Sequence, residues 1–452
     1  MIVASPSSSL KAPGPGIVAF FTDSPQFRKT PLESFTRYAR KFGDIIRYRG
    51  LWTTLQISHP GQIQHVLIAN AANYRKGRSY RILRLSLGNG LLTSDGEFWQ
   101  RQRKMAQPAF HASKVAGFTK TMERHAEETL KRWEQRARSG EVFDAVPELM
   151  RMTLLIVSEA LFNTNVESDI AAIRETLEVG RDFTMDRAWS LLRLPPSFPT
   201  RKNLRHRDSL ANFHRVLDRM AEERRASGSH LNDLLSLLMD ARDDDGNPMS
   251  PQQLRDEMAT LLTAGHETTT LVLAWALYLI GTRPDVQERM AAEARFLNGR
   301  APSYEDLARL RYTRAVAEET MRLYPPVWAM SRTAIAEDRF GDYHVPADAE
   351  VLIFPFVTHR DPRWFSDPER FSPERFFPEN TAGRPRGAYL PFGLGPRTCI
   401  GIGFATTEIL IVLAMFAQRF RVELAVDPAS VRAEPSVTLR PDPGVLVRLR
   451  KA

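Results

Sequence analysis

The chain is poor in cysteine and in long apolar runs. Of its 452 residues only Cys399 is a cysteine, so no internal disulfide can form, and a reducing compartment is expected. The N-terminus, Met1-Ile2-Val3-Ala4-Ser5-Pro6-Ser7-Ser8-Ser9, has no apolar stretch long enough for a signal peptide or membrane anchor. The two strongly apolar internal runs, 271–280 and 409–417, fall well short of the roughly 20 residues needed to cross a bilayer and read as core helices. A soluble, cytoplasmic chain with no membrane span is the expectation. No internal repeat, low-complexity block or nucleic-acid motif is present, and no nucleic-acid partner is expected. An apolar fraction of 43% excludes disorder. Lys plus Arg exceed Asp plus Glu, 62 − 53 = +9, a balance that suits an acidic protein partner, a membrane surface or nucleic acid. The densest basic stretch, Arg75, Lys76, Arg78, Arg81 and Arg84, reads as a solvated loop face.

The length suits two or three average domains or one large enzyme. No composition shift marks a boundary, so residues 1–452 are expected to form a single, mainly α domain with small β-sheets. Residues 1–16 should be a flexible N-terminal lead-in whose end, Lys11-Ala12-Pro13-Gly14-Pro15-Gly16, is stiff. Residues 45–49 and 53–57 read as strands paired about Gly50. Helical patterns dominate from about 98 to 324. After the acidic turn Asp243-Asp244-Asp245-Gly246-Asn247-Pro248, Ser250 can cap a helix, Pro251 can occupy its first turn and Gln253 can complete a capping box. Apolar residues run on to Ile280, where Gly281 and Pro284 supply the stop. That predicts a helix of about 30 residues and roughly 45 Å, long enough to traverse the molecule. Residues 362–391 are Pro-rich and irregular. Residues 437–440 and 445–449, around Pro441-Asp442-Pro443-Gly444, read as a β-hairpin.

Cys399 lies in Phe392-Gly393-Leu394-Gly395-Pro396-Arg397-Thr398-Cys399-Ile400-Gly401, just before an apolar helical run. A thiol there can be held as thiolate by backbone N–H groups and the positive end of the helix dipole, which suits a soft-ligand metal site. Gly393, Gly395 and Gly401 let backbone pass close to a flat ligand, and Arg397 supplies a cation two residues before the sulfur. The pattern reads as a haem seat; a buried structural cysteine beside a Gly-rich turn is the competing reading. Position for position, the segment resembles the haem-binding signature of the cytochromes P-450, Phe-x-x-Gly-x-Arg-x-Cys-x-Gly, and the resemblance covers most of the chain. It implies the single-domain cytochrome P-450 fold with the long helix over haem b. Cys399 would be the axial iron ligand, with Phe392, Arg397 and Gly401 among the residues that bind the cofactor.

The long helix carries a polar island, Ala264-Gly265-His266-Glu267-Thr268-Thr269. Taken alone it is either functional or a kink, with Gly265 loosening the helix and Thr268 bonding back to an earlier carbonyl. It resembles the family's Ala/Gly-Gly-x-acid-Thr oxygen-activation motif. That implies Ala264 and Gly265 over the haem, Thr268 hydrogen-bonding the bound peroxide, and Glu267 relaying protons from solvent. His266 reads as solvated or core-satisfied. Further on, Glu319 and Arg322 share one helix face, a spacing that usually marks a surface ion pair. Followed by Tyr324-Pro325-Pro326, the pair resembles the family's Glu-x-x-Arg element, which implies a structural partner arginine from Pro-Glu-Arg-Phe. Two copies fit, Pro368-Glu369-Arg370-Phe371 and Pro373-Glu374-Arg375-Phe376; the offset from Cys399 favours Arg375. The resemblance also assigns the haem propionates to Trp99, Arg103 and Arg332 besides Arg397, with Arg101 and Lys104 facing outward.

The activity so implied is a haem-thiolate monooxygenase. It would insert one oxygen atom of dioxygen into an apolar fatty-acid, terpenoid or steroid-like substrate. Electrons from NADPH or NADH would arrive only through a ferredoxin or flavodoxin and its reductase. A peroxide-driven peroxygenase or a haem-thiolate isomerase is the alternative, disfavoured by the intact Glu267-Thr268 pair. A haem sensor or carrier would need an output domain, for which neither end leaves room. The resemblance draws the substrate cavity from 82–92, 183–185, Ala264, 327–330 and 438–439, and Arg78 and Arg81 leave a carboxylate-bearing substrate open.

Overall fold

The computed structural model describes residues 10–50, 52–190, 194–228, 231, 233–242 and 246–452, the side chains at 17–21 and 24 excepted. Residues 1–9 of the lead-in and the acidic run Asp243-Asp244-Asp245 lie outside the described residues. The chain is mainly helical with small sheets. Helices of seven or more residues are α1 (Ile17–Lys29), α2 (Pro31–Phe42), α3 (Ser79–Leu87), α4 (Gly96–Ala106), α5 (Ala112–Ser139), α6 (Ala145–Phe162), α7 (Ile170–Trp189), α8 (Arg201–Ser227), α9 (Leu234–Asp240), α10 (Pro251–Gly281), α11 (Pro284–Ala294), α12 (Arg311–Leu323) and α13 (Ile402–Arg419). The strands are β1 (Ile45–Arg49), β2 (Thr53–Ile57), β3 (Tyr74–Lys76), β4 (Val142–Asp144), β5 (Met330–Ala334), β6 (Asp338–Phe340), β7 (Tyr343–Val345), β8 (Glu350–Ile353), β9 (Phe420–Leu424), β10 (Arg432–Pro435), β11 (Leu439–Asp442) and β12 (Leu446–Lys451).

Two compact units emerge. The first comprises Met1–Arg81, Trp328–Glu369 and Gly383–Thr398. Its sheet has the order β1-β2-β8-β5-β3. β1 and β2 pair antiparallel as the sequence predicts, Ile45 opposite Ile57, and β2 runs parallel to β8, with Leu55 opposite Val351 and Ile57 opposite Ile353. This register gathers the branched side chains into one core with Ile63, Val66 and Leu67. The sequence reading passed over β5 to β8. The end of the lead-in is held in place, in keeping with the stiffness expected of 11–16: the Arg47 N–H donates to Pro13 O at 2.7 Å and the His344 N–H to Leu10 O at 3.1 Å.

The basic stretch is exposed at Arg75, Arg81 and Arg84, as expected, while Lys76 and Arg78 are partly buried. Arg75 pairs with Asp348 at 2.6 Å, the Arg78 N–H donates to buried Glu350 at 2.9 Å, and Arg78 Nη2 donates to Asp348 O at 3.0 Å. Glu350 also accepts from Thr333 Oγ1 at 2.8 Å. A Cβ at Gly77 would fall 1.8 Å from Ser331 Oγ and 2.3 Å from Glu350 Oε1, so only glycine admits this approach.

The second unit comprises Ile82–Val327, Arg370–Ala382 and Cys399–Ala452. Its axis is α10, 31 residues long. Ser250 caps it as expected, accepting from the Gln253 N–H at 3.2 Å, and Pro251 sits in the first turn. Trp275 stacks on Tyr324 with ring centroids 3.8 Å apart and donates to Leu439 O at 3.0 Å. Thr153 of α6 and Thr270 bridge the buried α6–α10 seam at 2.7 Å. α13 is apolar and long enough to span a bilayer, yet most of it is buried in protein, as expected of a core helix.

The predicted C-terminal hairpin is corrected. β11 pairs with β10, Pro435 opposite Leu439, while β12 lies between β4 and β9 in another sheet. Pro441 and Pro443 lack the N–H donors that a ladder closing on their turn requires. The Val445 N–H instead donates to Asp144 Oδ1 at 3.0 Å.

Glu319 and Arg322 on α12 are both wholly buried. Arg322 Nε and Nη2 donate to the two Glu319 oxygens at 2.7 and 2.8 Å, and the Ser372 N–H donates to Oε1 at 2.9 Å. Arg375 Nε stands 3.3 Å from the same oxygen, while Arg370 contributes its carbonyl, which accepts from Arg322 at 3.2 Å. A buried guanidinium, a largely buried one and an N–H thus converge on a single carboxylate. Glu319→Ala removes the acceptor they share, at a cost of roughly 3–5 kcal/mol. A melting curve should show a Tm lowered by several degrees and poor cofactor incorporation; an unchanged Tm would mean that the carboxylate is dispensable.

Candidate functional site

The segment 392–398 closes the first unit, and Cys399 opens the last stretch of the second. Gly393 and Gly395 adopt φ of 70° and 72°, left-handed values that favour glycine. At Gly395 a Cβ would also fall 1.8 Å from Leu67 O. Gly401 is different: its φ is −90°, and an added Cβ would meet only ordinary contacts, Phe110 at 3.8 Å and Cys399 Sγ at 3.9 Å. Its contribution is its N–H, which donates to the cysteine sulfur.

Cys399 sits three residues before α13, as the sequence suggests, and it is a free thiol that keeps accessible surface. Burial nevertheless dominates its titration and pushes the thiol up, against the Gly401 N–H and the Arg103 charge that favour the thiolate. The accessible sulfur therefore faces an internal space. Burial outweighs these two groups, and a cation on the sulfur would favour the thiolate.

Arg103 lies on α4 one turn beyond Trp99, so both share a face. Its guanidinium stands 5.8 Å from the Trp99 ring centre, with Trp99 buried and Arg101 and Lys104 exposed. Desolvation pulls the Arg103 guanidinium down and the Cys399 charge offsets it. In the first unit Arg332 is buried on β5 and donates to Ser331 O at 2.8 Å; Phe392 and Arg397 are half-buried.

The polar island of α10 divides by helix face. Thr268 Oγ1 donates to Ala264 O at 2.7 Å, the back-bond that the kink reading requires. Ala264 is exposed although Leu261 and Leu262 just before it are buried. Gly265 has a packing duty: a Cβ there would stand 2.8 Å from Val157 Cγ2 of α6. Its side-chain position thus faces Val157 of α6. His266 is buried, not solvated, and burial and Arg440 bring it down to about 4, so it is neutral at physiological pH. Glu267 Oε1 accepts from Thr438 Oγ1 and Arg440 Nη1, each at 3.0 Å. Sequence reasoning missed Arg440 and assigned Thr438 to a substrate cavity; contacts across 171 and 173 residues leave no local signal.

Among the described residues, no group of three or more His, Cys, Asp or Glu side chains is placed to hold a metal ion. A metal held by Cys399 would fit best with a cofactor that brings most of its own donors and takes one protein sulfur.

Residues 12–448 match the family Cytochrome P450. The chain is 37% identical to a cyclooctatin synthase of Streptomyces melanosporofaciens over 407 residues, 89% of this chain and 87% of that protein. It is 35% identical to a cyclooctat-9-en-7-ol 5-monooxygenase of the same organism over 412 residues, 90% and 88% of the two chains. A pentalenene oxygenase of Streptomyces avermitilis is 30% identical over 423 residues, 92% of each.

The Gly265–Val157 contact makes a testable demand on the α6–α10 seam. Gly265→Ala should destabilise by about 1–3 kcal/mol through overpacking, and Val157→Ala in the same chain should recover part of that loss in a thermal melt. Additive losses would show that the two sites do not touch.

Proposed function

The chain belongs to the cytochrome P450 family and is an oxygen-incorporating oxidoreductase, and from that premise we propose that it is a haem-thiolate monooxygenase of cyclic terpenoids. The family implies a haem cofactor. The observation that carries the assignment is the lone Cys399 sulfur, held by the Gly401 N–H beside Arg103, with no group of three or more candidate metal-ligating side chains among the described residues. Cys399 is the axial ligand on this reading; Trp99, Arg103, Arg332 and Arg397 hold the propionates, and Phe392, Ala264, Gly265 and Gly401 line the cofactor. The family match across both units supports reading residues 1–452 as one catalytic domain.

Bound haem supplies dioxygen activation, with the thiolate's electron donation promoting O–O cleavage. The remaining work belongs to side chains. Thr268, oriented by its bond to Ala264 O, keeps its lone pairs free to accept from a protonated reactant oxygen. Glu267 takes up protons from the solvent side and passes them toward Thr268. Glu319, Arg322 and Arg375 brace the polypeptide and touch no reactant.

The terpenoid reading rests on two relatives named for cyclooctatin chemistry and one named for pentalenene. Electrons are proposed to come from NADPH or NADH through a ferredoxin or flavodoxin and its reductase in the cytoplasm, with exposed Arg101 and Lys104 offered to the acidic carrier. Holoenzyme titrated with limonene, farnesol, sclareol and lauric acid should give its largest low-to-high-spin shift with a cyclic terpene. With that compound, Thr268→Ala should retain the shift while product per NADPH falls on the order of tenfold, a barrier change of about 1.4 kcal/mol, and hydrogen peroxide rises. A shift with lauric acid alone contradicts the substrate class, and unchanged coupling contradicts the role of Thr268.

A further inference from the structure

The loop between α3 and α4 is seated on α10 by two consecutive carboxylates. The Asn89 N–H donates to Asp256 Oδ2 at 2.7 Å and the Leu91 N–H to Glu257 Oε2 at 2.9 Å. Loop backbone lies directly on the helix: a Cβ at Gly90 would fall 2.3 Å from Thr260 Oγ1 and 2.5 Å from Asp256 O, and one at Gly88 2.2 Å from Asp256 Cγ. The loop is also braced within itself. Thr93 Oγ1 donates to Gly88 O at 2.6 Å, the Thr93 and Ser94 N–H groups both donate to Gly90 O at 3.0 Å, and Arg84 Nη2 donates to Thr93 O at 2.6 Å. Residues 88–94 thus form one small braced body resting on α10.

The seat leaves two oxygens bare. Glu257 is 1% exposed and Thr260 2%, yet Glu257 Oε1 and Thr260 Oγ1 have no hydrogen-bond partner among the described residues. A buried carboxyl with a bare oxygen is costly as an anion and tolerable as a neutral acid. Burial accordingly pushes the Glu257 carboxyl up to about 7; the Leu91 N–H opposes this and the adjacent Asp256 charge adds to it. The nearby cationic groups act on Asp256 instead, where His214 and Arg255 favour the charge. Burial and Arg255 hold His214 below its ordinary value, and Arg255 is engaged by Asp218 of α8 at 2.8 and 2.9 Å. Glu257, Thr260 and Ala264 follow one stripe of α10, spaced by three and four residues. Ala264 is exposed, whereas the other two lie under the loop. The loop therefore covers the N-terminal continuation of the stripe on which the proposed function places the cofactor.

We propose that residues 88–94 are a pH-operated clasp over this stripe, closed while Glu257 carries its proton and released when Glu257 gives it up. The inference rests on the monooxygenase reading for what the clasp guards, the approach of substrate to the Ala264 face, and on the loop geometry for how it works. Closed, Glu257 keeps its proton up to about 7; released and wetted, it titrates in the usual carboxylate range. Closure is therefore strongest in acid, weakens as pH rises from the carboxylate range to about 7, and changes no further above that. The proton goes to water as the loop lifts.

Amide hydrogen exchange of the holoenzyme, corrected for intrinsic rates, reads the clasp at Asn89 and Leu91 without turnover. Between about pH 5 and about pH 8, wild-type protection there should fall on the order of tenfold or more, while amides in the core of α13 stay protected. Glu257→Gln, which keeps an oxygen acceptor but cannot ionise, should remain protected at both. Gly90→Ala, which cannot seat, should be unprotected at both. In stopped-flow mixing with sclareol the spin shift should arise several-fold faster in Gly90→Ala, and in wild type at the higher pH, than in Glu257→Gln. Should Glu257→Gln fail to fold, Asp256→Asn removes the adjacent charge and should shrink the pH dependence of the wild type. Protection in the wild type that ignores pH, or an equal pH dependence in Glu257→Gln, overturns the clasp. Sclareol binding that ignores the exchange behaviour overturns its guarding role. A wild type lacking the thiolate spectrum overturns the monooxygenase reading instead.

Discussion

A sulfur buried in protein is a poor anion. At Cys399 desolvation outweighs the two groups that favour the thiolate, the Gly401 N–H and Arg103. A cation bonded to the sulfur would offset that burial and favour the thiolate. The local backbone geometry fixes where the sulfur stands. Gly395 brings the backbone against Leu67 O, where any side chain would collide. On the proposed reading, cofactor binding completes the electrostatics of the site by converting the one cysteine into its ligand.

Three carboxylates of the interior are each met by several donors. Glu319 receives Arg322, Arg375 and the Ser372 N–H. Glu350 receives the Arg78 N–H and Thr333. Glu267 receives Thr438 and Arg440. Glu319 and Glu350 tie loops to regular elements and would be costly to leave unpaired. Glu267 differs in setting, since its pair with Arg440 lines a cavity of about 150 Å³.

What the sequence disclosed depended on the range of the interaction. The Ser250 cap and the pairing of β1 with β2 were legible because caps and hairpins are local events. The cysteine loop was legible because ten adjacent residues carry its chemistry. Pairing of β11 with β10, and of β12 with β4 and β9, was not, since the turn at Pro441-Asp442-Pro443-Gly444 looks like a hairpin until its missing donors are counted. The packing duty of Gly265 was hidden for a related reason. A glycine required by Val157 of another helix looks the same in sequence as one required by a ligand. Arg440 as the partner of Glu267 had no local sign at all.

The central claim is that Cys399 binds haem iron as a thiolate. The reduced carbon-monoxide difference spectrum of the purified holoprotein tests it most directly. The account predicts the strongly red-shifted Soret band of thiolate ligation in the wild type and its loss in Cys399→His; a wild-type Soret band at the position typical of histidine ligation would contradict it.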